Sequence, residues 1–166
     1  EINPELYNRY PDFQPEPLIQ AYADYSGLTT EQVLATRGAD EGIELLIRTF
    51  CDKGDSILIN PPTYGMYAIS AETNSTHIIK VPTLKDFQLD VPAVLKEMDK
   101  AKLIFICSPN NPTGQVINRQ DLLTVLEAAK GKALVVADEA YIEFCPEASV
   151  TELLQEHDNL VVLRTL

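Results

Sequence analysis

Apolar residues follow two kinds of spacing along the chain. Four segments repeat them at i, i+3, i+4 and i+7, the spacing of one helix face. These are Leu18/Ala21/Tyr22/Tyr25, Ile43/Leu46/Ile47/Phe50, Val91/Val94/Leu95/Met98 and Leu122/Val125/Leu126/Ala129. Asp90 is placed to cap the third helix, with Pro92 tolerated in its first turn. Asn118 is placed to cap the fourth, with acidic Asp121 three residues on. A shorter helix is predicted from Tyr64 to Ala71, after Pro61-Pro62. Between the helices lie short β-rich runs at 33–36, 56–59, 76–81, 102–107, 133–137 and 160–163. Runs 103–107, 133–137 and 160–163 are apolar throughout instead of alternating. Such strands are covered on both faces, as in parallel sheets.

Strand and helix in alternation predict a doubly wound α/β fold, three layers thick, with a mostly parallel sheet. Residues 1–15 differ: Pro4, Pro11 and Pro15 stand there without any period, so this stretch reads as an extended arm before a domain at 16–166. The chain ends at Leu166 directly after an apolar strand and begins at Glu1, which reads as a piece of something longer.

Composition narrows the function classes. With 13 Lys+Arg against 25 Asp+Glu, the formal net charge is −12. No basic cluster is present, so a nucleic-acid surface is not expected. No apolar run approaches the roughly 20 residues of a membrane span. Cys51, Cys107 and Cys145 are odd in number and lack C-x-x-C or His-rich company. Buried reduced thiols in a cytoplasmic protein are expected, with neither a disulfide frame nor a metal site.

In an open α/β sheet, ligands bind beyond the carboxyl ends of the strands. Four stretches at such places carry unusual chemistry. Arg37-Gly38-Ala39-Asp40-Glu41 opens a helix, where small residues let backbone N–H groups approach an anion such as a phosphate. Equally, it fits a plain turn with acids on a helix dipole. Tyr64 and Tyr67 follow run 56–59; either could lie flat on a planar ring or simply fill core or surface. Ser108-Pro109-Asn110-Asn111-Pro112-Thr113-Gly114 follows a buried strand, and cis X-Pro bonds there would aim Asn111 inward. Asp138-Glu139-Ala140-Tyr141 follows another. A carboxylate at the end of a buried strand is costly unless something positive meets it. The same apolar-strand-then-acid pattern occurs in P-loop ATPases, but the chain has no G-x-x-x-x-G-K-[ST] string.

Together with Asn8-Arg9-Tyr10-Pro11, these four motifs, in this order, resemble the fold-type I pyridoxal-phosphate aminotransferases, and among them the histidinol-phosphate group. The resemblance implies pyridoxal 5'-phosphate as cofactor. It implies amino transfer from L-histidinol phosphate to 2-oxoglutarate in histidine biosynthesis, giving imidazole acetol phosphate and L-glutamate. Asp138 would pair with the protonated pyridine nitrogen, and Tyr141 and Asn111 would bond the ring's 3-oxygen. Tyr64 would stack on the ring, and the amides near Gly38, Ala39 and Asp40 would hold the phosphate. Tyr10 would reach the cofactor of a second subunit, so a homodimer is implied. The family's Schiff-base lysine would come just after Leu166, outside the chain, as would the small C-terminal domain. None of the eight lysines at 53, 80, 85, 96, 100, 102, 130 and 132 sits in a matching motif. The 166 residues alone are therefore expected to be inactive. Alternatives are another enzyme of the same fold, such as an aromatic aminotransferase, a decarboxylase or a C–S lyase, or a fragment that catalyses nothing.

Overall fold

Five strands build one sheet: β1 (Ser56–Ile59), β2 (His77–Lys80), β3 (Leu103–Cys107), β4 (Leu134–Asp138) and β5 (Leu160–Leu163). They lie in the order β2-β1-β3-β4-β5, every neighbouring pair parallel. The computed structural model describes residue 5 and residues 8–166. These fall into two units, Glu1–Thr36 and Arg37–Leu166.

The larger unit contains the sheet. Helices α2 (Gly38–Phe50) and α3 (Met66–Thr73) carry the apolar residues that cover one face. Helices α4 (Val91–Glu97) and α5 (Arg119–Ala128) cover the other. The three-layer α/β/α fold expected from the sequence is therefore present. Strand β3 shows why its sequence has no polar position. Leu103, Phe105 and Cys107 face α2 and α3, Ile104 and Ile106 face α4 and α5, and all five are buried. Period-2 alternation puts successive side chains on opposite faces, and here both faces are dry. At the margins β2 is largely exposed, and the two central valines of β5 are half-buried.

Both expected caps form. The Asp90 side chain accepts the Ala93 N–H at 3.1 Å. The Asn118 side chain accepts the N–H groups of Gln120 at 2.8 Å and Asp121 at 3.3 Å. Asn118→Ala leaves two first-turn donors without that acceptor. It should cost about 1 kcal/mol, read as a lower urea midpoint at unchanged slope.

Two expectations are corrected. Run 33–36 is not a strand. Its backbone is satisfied from within the smaller unit: Gln14 donates to the Ala35 carbonyl at 3.2 Å and accepts the Ala35 N–H at 2.8 Å. A side-chain amide thus replaces a neighbouring strand, and β propensity alone cannot supply a ladder partner. The second concerns α1 (Glu16–Ser26), whose buried row is Ile19 and Ala23, while Leu18 and Tyr25 are exposed. Two apolar rows fit the same helical period, and the one through Leu18 and Tyr25 lies outward. Residues between β4 and β5 form short 3-10 turns at Ile142–Phe144, Pro146–Ala148 and Thr151–Gln155 instead of an α-helix.

Candidate active site

The strand order places the site. The chain leaves β1 toward one side and β3 toward the other, so a crevice opens beyond their carboxyl ends. The loops there are knitted together by Asn110, which is buried. Its amide donates to the Pro62 carbonyl at 2.8 Å and to Thr113 Oγ1 at 2.9 Å, and its Oδ1 accepts from Thr63 at 3.0 Å. Three X-Pro bonds are cis in these loops: Pro61-Pro62, Ser108-Pro109 and Asn111-Pro112. Asn111, next to Asn110, is half-buried.

Asp138 is the last residue of β4, opposite Cys107 of β3. Its parity matches Val136, so it points to the α2/α3 face. It is buried to 2% exposure. Oδ2 accepts the Tyr67 hydroxyl at 2.5 Å, and Oδ1 accepts the Ala140 N–H at 3.1 Å. None of the ion pairs among the described residues involves Asp138. Burial pushes its pKa above the ordinary carboxylate value, against the pull of Tyr67 and Ala140. Cys107 beside it is pushed up to about 11, mainly by burial, so it stays a neutral thiol.

Tyr67 comes from α3 and is fully buried. Its ring stacks on Phe105 at 4.7 Å and 21°, and meets the edge of Tyr64 at 5.8 Å and 85°. The Tyr64 hydroxyl donates to Asp40 Oδ1 at 3.1 Å. Burial raises the Tyr64 pKa, helped by that bond and by the nearby Tyr141 and Asp138. These side chains therefore form one cluster, running from the first turn of α2 through two tyrosines to the buried carboxylate. Tyr141 is 44% exposed beside it.

The first turn of α2 has the features of an anion seat. Gly38 sits at φ +76°, in the region that favours glycine, and a Cβ there would lie 3.6 Å from Thr165 Oγ1 past the end of β5. Arg37 at the cap position offers the turn no side-chain acceptor. Glu41 folds back instead, accepting the Arg37 N–H at 2.5 Å and its guanidinium at 2.7 Å. The hydrogen bonds from Arg37 hold Glu41 below the usual carboxylate range.

On the opposite face, one residue on, stands a second buried carboxylate. Glu139 accepts from Arg164 Nε at 2.9 Å, from Ser149 Oγ at 3.2 Å and from the Val150 N–H at 2.6 Å. A cation is thus available at the strand ends, but it serves Glu139.

Of the residues singled out in the sequence, the fold brings Asp40, Tyr64, Tyr141 and Asp138 together, with Gly38 and Ala39 in the adjoining turn. Tyr10 lies in the smaller unit, fully exposed. Sequence reasoning gave Tyr67 no role beside Asp138. The signal was available: Tyr67 is one helical turn from Tyr64, and a tyrosine buried on that turn needs an acceptor.

The donor set suits a flat ligand with a positively charged aromatic nitrogen and a phosphate. A buried carboxylate that no cation among the described residues pairs stands at one end, aromatic rings line the middle, and a helix N-terminus stands at the other.

Comparison with known proteins points the same way. Residues 3–166 match the family model described as aminotransferase class I and II. A histidinol-phosphate aminotransferase of Yersinia enterocolitica is 59% identical across the whole chain, which covers 45% of that relative. One from Escherichia coli is 56% identical, again across the whole chain and 47% of the relative. The chain thus spans a little under half the length of these curated relatives. Among solved structures, the histidinol-phosphate aminotransferase of Clostridium acetobutylicum superposes with TM-score 0.85 at 28% identity, over 96% of this chain and 48% of that one. The N-succinyldiaminopimelate aminotransferase of Mycobacterium tuberculosis gives TM-score 0.74 at 30% identity, over 81% of this chain and 38% of that one.

Proposed function

The chain belongs to the class I and II aminotransferases, and from that premise we propose that it forms the cofactor-holding part of a pyridoxal-phosphate-dependent histidinol-phosphate aminotransferase. The reaction proposed is L-histidinol phosphate plus 2-oxoglutarate to imidazole acetol phosphate plus L-glutamate, in the cytoplasm, by a homodimer. The relatives identical at 56–59% over the whole chain support this substrate. The observation that carries the cofactor assignment is Asp138, a buried carboxylate held by a phenol and an amide and, among the described residues, by no cation.

Pyridoxal phosphate supplies an electron sink for the carbanion of an amino acid. The chain's own residues would do the rest. Asp138 would hold a proton on the ring nitrogen, which keeps the ring electron-poor. Tyr64 would lie against the ring while its hydroxyl stays on Asp40. The first-turn amides around Gly38, Ala39 and Asp40 would bind the phosphate, assisted by the helix dipole. Asn111 and Tyr141 would reach the ring's 3-oxygen, and Tyr10 the site of a second subunit. The reacting amine is assigned to a lysine beyond Leu166, so residues 1–166 alone should turn over nothing.

The test is Asp138→Asn in the full-length protein. Removing a charge aimed at the reacting centre should lower turnover of histidinol phosphate on the order of 10²–10³-fold. Wild-type turnover that is faster on aromatic or sulfur amino acids would reject the substrate. Wild-type protein that acquires no visible absorption with pyridoxal phosphate would reject the cofactor.

The same substitution should stabilise the cofactor-free chain. The folded-state pKa of Asp138 lies above its ordinary value. Between the two values the folded state keeps a proton that the unfolded state has released, so stability falls as pH rises through that window. Asparagine removes this loss. Urea midpoints of wild type and variant should diverge as pH rises through that window, the variant being more stable at pH 7. Parallel curves would contradict the assignment of the buried charge.

A further inference from the structure

A wholly buried phenol needs an acceptor, and Tyr67 has one acceptor of unusual kind. Its ring is fixed on both sides, stacked on Phe105 and edge-on to Tyr64. That leaves its hydroxyl aimed at Asp138 Oδ2, 71 positions away in sequence. The other oxygen of Asp138 is held by the Ala140 N–H. Two neutral donors thus grip the anion from two elements, α3 and the turn after β4.

The neighbouring Glu139 shows the alternative. Its charge is spent on the guanidinium of Arg164, at 2.7 Å. Had a lysine or arginine stood where Tyr67 stands, Asp138 would be spent in the same way. A neutral donor fixes the carboxylate without cancelling it.

We propose that Tyr67 is a positioning residue: its hydroxyl locks the Asp138 carboxylate in place and leaves its negative charge open for a protonated aromatic nitrogen. The proposal rests on the cofactor reading above, but its first half concerns the chain alone. Burial of the carboxylate opposes its ionisation, and the Tyr67 bond works against that opposition. Without the hydroxyl, Asp138 becomes a carboxyl that gives up its proton less readily. It then tends to keep a proton for itself and offers less negative charge to hold one on a ring nitrogen. Packing alone would give no reason for a hydroxyl at this position, since phenylalanine would fill the same space between Phe105 and Tyr64.

The experiment has two arms. In the cofactor-free chain, the Asp138 carboxyl carbon is followed by 13C NMR against pH, with Asp138→Asn identifying the signal. Tyr67→Phe should move the titration upward. Replacing Tyr67 by 4-aminophenylalanine, which keeps a donor on the same ring, should return it toward wild type. In the full-length protein loaded with pyridine-15N pyridoxal phosphate, the ring nitrogen of Tyr67→Phe should lose its proton at lower pH than wild type. Turnover should fall about 10-fold or more, with kcat affected more than KM. An unchanged Asp138 titration in Tyr67→Phe would overturn the proposal and leave Tyr67 as packing. If Tyr67→Phe does not fold, an aminophenylalanine variant with an Asp138 titration far above wild type overturns it equally. Should the first arm move as expected while the 15N signal ignores even Asp138→Asn, the cofactor reading fails and the Tyr67–Asp138 coupling stands.

Discussion

Glu139→Gln should destabilise the chain by about 3–5 kcal/mol, the usual cost of breaking a buried ion pair by removing one of its charges. Glu139 is 2% exposed and the Arg164 side chain 13%. Two guanidinium nitrogens, at 2.9 and 2.7 Å, converge on Glu139 Oε2. Arg164 also donates to Ser149 Oγ at 2.9 Å, so the pair sits inside a small network. Glutamine keeps the shape and loses the charge that faces the guanidinium. A single domain holds only about 5–15 kcal/mol in total, so the loss is a large part of it. Thermal or urea unfolding measures it directly. The double replacement Glu139→Leu with Arg164→Met should recover most of the loss, because buried pairs return little beyond their own desolvation. A midpoint unmoved by Glu139→Gln would mean that water reaches the pair. The local effect matters too. The network ties the turn at Ser149 and Val150 to the end of β5, and Thr165 there lies against Gly38 at the first turn of α2.

Phe105→Ala should cost about 3–5 kcal/mol as well, by a different route. Phe105 is 1% exposed in the central strand of the sheet. It packs with Ile43, Ile47 and Ile57 on the α2/α3 face and carries the Tyr67 ring on its own. Alanine leaves a cavity beneath that ring, in surroundings too rigid to close it fully. Phe105→Leu should cost much less, since it keeps most of the volume. Equilibrium unfolding gives both values. The difference from an ordinary core deletion lies in what the cavity touches: Tyr67 loses its support, and the Tyr67–Asp138 bond loosens with it. Phe105→Ala should therefore also shift the Asp138 titration upward, whereas Ile104→Ala, on the other face, should lower stability without that shift.

Much of this was legible in the sequence because parallel sheets write themselves plainly. Runs without polar positions marked β3, β4 and β5, and Asp90 and Asn118 marked two helix starts by ordinary capping chemistry. The order of the motifs alone points to the family. What the sequence withheld depended on partners. Run 33–36 looks like a strand by composition, but a strand exists only where another chain segment offers its backbone, and here Gln14 takes that place. The outer row of α1 has the same period as the inner one, so spacing could not choose between them. Asn110 and Asn111 are adjacent and chemically identical, and only the loop's path shows that Asn110 is the one that ties the loops together. Tyr67 was hidden for another reason. Its acceptor is distant in sequence, and a tyrosine among apolar neighbours reads as core until its hydroxyl is followed.

One peptide bond separates Asp138 from Glu139, and they face opposite layers of the molecule. Nothing but their count along β4 decides which carboxylate meets Tyr67 and which meets Arg164. The site is therefore sensitive to length in a way it is not to substitution. A single residue gained or lost within Leu134–Asp138 would exchange the two environments and carry every β4 side chain to the wrong layer. Changes of two would restore the facing but shift the carboxylate by roughly 7 Å along the strand. The 3-10 turns between Ile142 and Gln155 carry no such constraint. Insertions during divergence should collect there, while β4 keeps its length even where its composition drifts.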